Sequence, residues 1–162
     1  SHRRYLREKE AAQTLDEFSQ KLKLDIHKLF DTKNIGVEVA DTPTGRVFFI
    51  NGKPVIASLK GTLVPTLLFD KALMSFSKIT VNMGAVPHIC NGADLMAPGI
   101  VKIQDNFQQN DFALVVDERH QKPIAIVTTL SDAQTTRGLT HGKIAKNTHY
   151  VGDPLWNQLK NV

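Results

Sequence analysis

The stretch from Val81 to Ile100, VNMGAVPHICNGADLMAPGI, constrains the fold more than any other part of this chain. It follows β-rich Ile79-Thr80 and changes character within a few residues. Asn82 is an N-cap type, whose side-chain oxygen can accept from an orphaned helix N–H. Pro87 lacks an N–H and crowds the turn before it, so a helix tolerates it only near its start. The helix is therefore predicted to begin close to Gly84. Asn91-Gly92 supplies residue types that enter left-handed backbone and end a helix, and Gly92 is predicted to have positive φ. Leu95, Ala97 and Ile100 then carry the chain into extended structure, with Pro98-Gly99 as a break suited to a sheet edge. Small residues at Gly84, Ala85, Gly92, Ala93, Ala97 and Gly99 leave backbone open to a partner at close range. The plainer reading is that these glycines only serve turns.

The flanking segments are legible in the same way. Phe112–Val127 reads as a hairpin, with the polar Asp117–Lys122 as its tip. Gly142–Trp156, GKIAKNTHYVGDPLW, reads as a closing strand, with Trp156 expected to close a barrel after the Asp153-Pro154 turn. Towards the N-terminus Arg3–Glu10 is dense in charge. Leu15, Phe18, Leu22, Ile26 and Leu29 then recur at three- and four-residue steps, predicting one amphipathic helix that ends around Phe30–Lys33. Its apolar stripe is a core face. Strands are expected at Gly36–Ala40, Val47–Ile50 and Pro54–Ser58, the last two joined through Asn51-Gly52, a strong signal for a two-residue hairpin. Leu63–Phe69 follows as a further apolar segment.

Val81–Ile100 together with Gly142–Trp156 resembles the PUA domain, a module of pseudouridine synthases and archaeosine transglycosylases. Phe49–Phe69, FINGKPVIASLKGTLVPTLLF, is similar to the pre-PUA domain of a translation-factor family. That family comprises the eukaryotic multiple-copies-in-T-cell-malignancies factor, ligatin and archaeal stand-alone PUA proteins. Asn82 stands where the family has Asp, an equivalent cap, and Val64 stands where the factor has an aromatic. The resemblance implies an α+β chain in two domains. A pre-PUA helix-plus-antiparallel-sheet domain is expected over residues 1–75, and a PUA-like β-barrel over 76–162. It also implies RNA binding, to the 3′ end of tRNA or to ribosomal RNA of the small subunit, with an initiation-factor-like protein as a further partner.

Charge supports a polyanionic ligand. The chain carries a net charge of +4, and Thr135–Tyr150 holds Arg137, Lys143, Lys146, His141 and His149 without a carboxylate. A second such block, Arg46–Phe69, holds Arg46, Lys53 and Lys60. Blocks of this kind also occur as merely solvated faces. The residues expected to form an RNA surface are Gly84, Ala85, His88, Asn91, Gly92, Ala93, Asp94, Leu95, Ala97, Pro98 and Gly99, with Arg137, Lys143, Lys146, His149 and Tyr150.

Catalysis is not expected. No P-loop and no dinucleotide glycine fingerprint occurs. The six His residues are scattered, so no zinc site and no cofactor is expected. The single Cys90 excludes an intramolecular disulfide, and at i, i+2 from His88 on a helix it points to another face. With no apolar run long enough to span a bilayer, the expectation is a cytoplasmic protein that does not bind membranes. Two other readings remain open: a tRNA-docking subunit of a modifying enzyme such as archaeosine transglycosylase, and a protein–protein adaptor that binds no RNA.

Overall fold

A computed structural model describes residues 2–30 and 35–162. Two compact units emerge, one formed by the described residues up to Met74 with Asn157–Val162, the other by Ser75–Trp156. The expected domains met at residues 75 and 76 and the second ran to 162; the units meet at Met74 and Ser75, and Asn157–Val162 falls with the first.

The first unit opens with β1 (Arg3–Tyr5), which pairs antiparallel with β2 (Val37–Thr42). A strand was not expected in so charged a stretch. Arg3 makes it possible: its guanidinium pairs with Glu38 at 3.0 Å and stacks 3.9 Å over the Phe49 ring. Between these strands lie α1 (Glu8–Leu22) and α2 (Ile26–Leu29). The single helix expected here is broken, because Lys23 adopts φ 55° and Asp25 starts α2 by accepting from the His27 N–H. Phe30 ends α2, and Lys33 lies outside the described residues. Leu15, Phe18 and Leu22 are buried, and Phe18 meets Phe48 edge to face at 5.0 Å, fastening the helix to the sheet.

That sheet continues through β3 (Gly45–Ile50), β4 (Lys53–Leu59) and β5 (Thr62–Pro65) as an antiparallel meander. Asn51 and Gly52 turn β3 into β4 with φ of 50° and 84°, the doubly left-handed turn that an Asn-Gly pair favours. Lys60-Gly61 does the same between β4 and β5. Buried Thr66 then donates to the Pro54 carbonyl, and Phe69 packs on Phe30 before α3 (Asp70–Leu73).

The second unit is built from β6 (Ser77–Val81), α4 (Val86–Ile89), β7 (Leu95–Met96), β8 (Ile100–Ile103), β9 (Phe112–Asp117), β10 (Pro123–Thr129), α5 (Ala133–Arg137), β11 (Lys143–Tyr150) and the first residues, up to Trp156, of α6 (Pro154–Leu159). Its six strands run in the order β7-β11-β10-β9-β6-β8. The two outermost strands, β7 and β8, are separated in sequence only by Ala97–Gly99, a single 3₁₀ turn. Three residues cannot cross the width of a flat sheet, whose strands lie about 4.8 Å apart. The sheet must therefore curl until its edges meet, and the protein is α+β with a PUA-like half-barrel. Ile79, Val81, Leu95, Val115, Val127 and Ile144 line its core.

Two expectations change here and one holds. The strand predicted over Leu95–Ile100 is split by the 3₁₀ turn that Pro98 and Gly99 impose. Trp156 does not close the barrel, because Pro154 starts a helix on which Trp156 is half-exposed. Asp117 does end the β9–β10 hairpin, with its carboxylate accepting from the N–H groups of Arg119, His120 and Lys122.

Candidate nucleic-acid interface

The Asn82 side chain accepts from the Ala85 N–H at 2.9 Å and starts the turn that becomes α4. Pro87 sits at the beginning of the helix, where no donor is required of it. At the other end Gly92 has φ 94°, its N–H donates to Ile89 O and the Ala93 N–H donates to His88 O. This pair of bonds is the Schellman stop, which only a left-handed residue permits.

The chain emerging from that stop is tied to β11 at four points. Asn147 donates from its side-chain amide to the carbonyls of Ile89 (3.0 Å) and Ala93 (2.9 Å). Its backbone N–H donates to Oδ1 of Asp94 at 2.8 Å. Lys143 Nζ lies 2.8 Å from Oδ2 of the same carboxylate. That ammonium, and then the Asn147 N–H, hold the Asp94 carboxyl below the usual carboxylate range. β7 adds the register Leu95↔Ala145 and Met96↔Lys143, and the Ala97 N–H reaches Gly142 O. A Cβ on Gly99 would stand 3.2 Å from that of Ala85, a tight approach where the turn passes the helix start.

Most of the residues expected from the sequence are brought together. Gly84, His88, Asn91, Gly92, Ala93 and Pro98 are exposed, and Ala85, Asp94 and Gly99 are half-buried beside them. Lys143 and Lys146 stand exposed on the neighbouring β11, and half-buried Tyr150 brings its hydroxyl against Gly92. Other candidates face elsewhere. Leu95 and Ala97 point their side chains into the core. His149 is 0% exposed, with Nδ1 donating to Asp153 at 2.8 Å, so it cannot touch an external ligand. Asp153, at the turn into α6, holds the ring in that buried position. Arg137 donates to the carbonyls of Ile103 and Asp105, capping the end of β8. Asn147 was missed, since one Asn in a strand gives no signal until its non-local partners are known. Exposed Met96, next to Lys143 in register, was missed as well.

Cys90 is half-buried against the core, and burial pushes its thiol up, away from the reactive thiolate. Among the described residues, no three His, Cys, Asp or Glu side chains gather where they could hold a metal ion. No helix among them is long and apolar enough to cross a membrane.

Comparison with known proteins agrees with this architecture. Residues 77–151 match the PUA domain, and residues 2–70 match a Domain of unknown function (DUF1947). An uncharacterized protein of Methanocaldococcus jannaschii is 34% identical over 145 residues, covering 85% of this chain and 90% of the relative. Translation machinery-associated protein 20 of Schizosaccharomyces pombe is 28% identical over 119 residues, covering 70% of this chain and 66% of that protein. Among solved structures, a hypothetical protein of Pyrococcus horikoshii superposes with a TM-score of 0.77 at 29% identity, covering 98% of this chain and 99% of the other.

Proposed function

This chain belongs to the PUA-domain proteins with an N-terminal DUF1947 region, and from that premise we propose that it is a non-catalytic RNA-binding protein associated with translation. One observation carries the reading. Exposed Asn91, Gly92, Ala93 and Pro98, with half-buried Gly99, lie in one surface with exposed Lys146 on β11, the strand to which Asn147 and Asp94 tie that loop. A surface of this kind lets an RNA backbone approach protein backbone closely while a cation meets phosphate. The relation to Translation machinery-associated protein 20 supports an RNA of the translation apparatus.

The RNA is the 3′ end of tRNA or a single-stranded element of small-subunit ribosomal RNA, and the protein acts in the cytoplasm at the small subunit. An initiation-factor-like protein is its further partner. The interface comprises Gly84, Ala85, His88, the Asn91–Asp94 loop, Pro98, Gly99, Lys143, Lys146 and Tyr150.

Binding of a tRNA transcript and of a ribosomal RNA fragment, titrated over a range of KCl concentrations, tests the reading. Wild-type affinity should fall with salt. Lys146→Glu should weaken binding and reduce the log–log slope by about 0.7 to 0.9, the share of one phosphate contact. Affinity indifferent to salt and to Lys146 would favour a protein–protein adaptor instead. Turnover of any nucleoside in unmodified tRNA, detected by mass spectrometry, would overturn the non-catalytic assignment.

A further inference from the structure

We infer that Asp94 is an internal substitute for a phosphate, holding Lys143 in an ion pair that an incoming RNA must break, and so restraining binding at this surface. The inference rests on the reading of that surface as an RNA interface. It starts from an oddity of charge. The Thr135–Tyr150 block contains no carboxylate in sequence, yet the fold brings Asp94 to its edge and places Oδ2 2.8 Å from Lys143 Nζ. As a unit the pair carries no net charge, so Lys143 adds little attraction for a polyanion while it is held there.

The geometry lets the pair open without loss of the loop. The Lys143 side chain is 52% exposed and that of Asp94 28%, and exposed ion pairs of this kind are weak. Oδ1 of Asp94 meanwhile accepts the Asn147 N–H at 2.8 Å, which keeps the carboxylate in place after the ammonium leaves. Lys146, three residues further along β11, stays exposed throughout. Phosphate alone can thus be met by Lys146. Lys143 is recruited only by an RNA that also gains contacts along the Asn91–Ala93 loop, enough to offset breaking the pair. The restraint acts against polyanions that offer charge and nothing else.

The experiment uses the full chain, a tRNA transcript and a series of KCl concentrations, comparing wild type, Asp94→Asn and the Asp94→Asn/Lys143→Ala double variant. Asparagine keeps the acceptor for the Asn147 N–H but releases the ammonium. Asp94→Asn should bind more tightly with a slope near the wild-type value, since Lys143 meets phosphate in both; in the double variant the gain should vanish and the slope should fall by about 0.7 to 0.9. Equal or weaker binding by Asp94→Asn, with wild type still salt-dependent, overturns the restraint and leaves the RNA interface standing. Wild type that binds neither the tRNA nor the ribosomal RNA fragment would remove the interface and the restraint with it. A second measurement needs no substitution: the Asp94 13Cγ resonance of the wild-type chain should shift when tRNA is added, as the carboxylate loses its partner. A resonance unmoved at saturation overturns the proposal.

Discussion

The hydroxyl of Tyr150 lies 3.2 Å from the point where a Cβ on Gly92 would stand. Gly92 therefore answers two demands at once, a φ of 94° that L side chains rarely adopt and a neighbour from β11 pressed against its open side. Gly142 has a similar φ, 87°, with nothing within 4 Å of its own absent Cβ. The two glycines separate strain in the backbone from crowding by a neighbour.

Gly92→Ala should accordingly cost about 1 kcal/mol or more from left-handed backbone, plus the displacement of Tyr150. Gly142→Ala should cost the first part alone. Urea unfolding of both variants measures the difference, and adding Tyr150→Phe to Gly92→Ala should recover it. Equal losses at the two glycines would mean that the Tyr150 contact carries no weight.

Asp153 gives a pH dependence. Burial by itself pushes its carboxyl up, but hydrogen bonds from the His149 ring and from the N–H groups of Trp156 and Tyr150 outweigh that and hold it below the usual range. A folded pKa below the unfolded value of about 3.9 stabilises the protein fully above that pH. The contribution is lost as pH falls through the folded value. Asp153→Asn should thus lower stability at neutral pH and flatten its decline on acidification, read from urea midpoints between about pH 2 and pH 7. Asp153→Ala, which also removes the cap on α6, should cost about 1 kcal/mol for the cap alone.

Asn147→Ala should destabilise by about 1 to 3 kcal/mol, because the Ala93 carbonyl loses the Asn147 amide and the Ile89 carbonyl is left with the Gly92 N–H alone. Asn147→Asp should be worse at neutral pH, since it loses the same donors and sets a second carboxylate beside Asp94. RNA affinity should fall in Asn147→Ala while its salt slope stays at the wild-type value, since no cation is removed. Thermal melts and salt titrations of the two variants give both readouts.

In the first unit, Phe18→Ala removes a fully buried ring and its edge-to-face partner Phe48. A loss of about 3 to 5 kcal/mol is expected from the transfer and cavity terms together, measured as a lowered urea midpoint. Substitution of exposed Met74, by contrast, should leave the midpoint near its original value.

What could be read from the residues alone was what short-range chemistry decides. Asn82, Pro87 and Gly92 mark the limits of α4, and Asn51-Gly52 marks a turn, because each acts on backbone a few residues away. Lys23 escaped because nothing in its own chemistry forbids helix there; the competing cap at Asp25 breaks it. β1 escaped because Arg3 becomes strand-like only once Glu38 and Phe49 stand beside it. The candidate surface divides along the same line. Its glycines and lysines are visible as residue types, but the burial of His149 is not visible in its residue type. The pairing of Asp94 with Lys143 and the clamp by Asn147 join residues far apart in sequence, and no local pattern announces them.

The joining of β7 and β8 by three residues also sets a timetable. β7 has β11 as its ladder partner, and Asn147 supplies the donors that hold the end of α4. A nascent chain that has not yet been extended to Asn147 can form the β9–β10 hairpin but cannot complete the Val81–Ile100 surface. Synthesis itself thus withholds the surface: a growing chain presents it only after nearly all of the second unit has left the machinery that makes it.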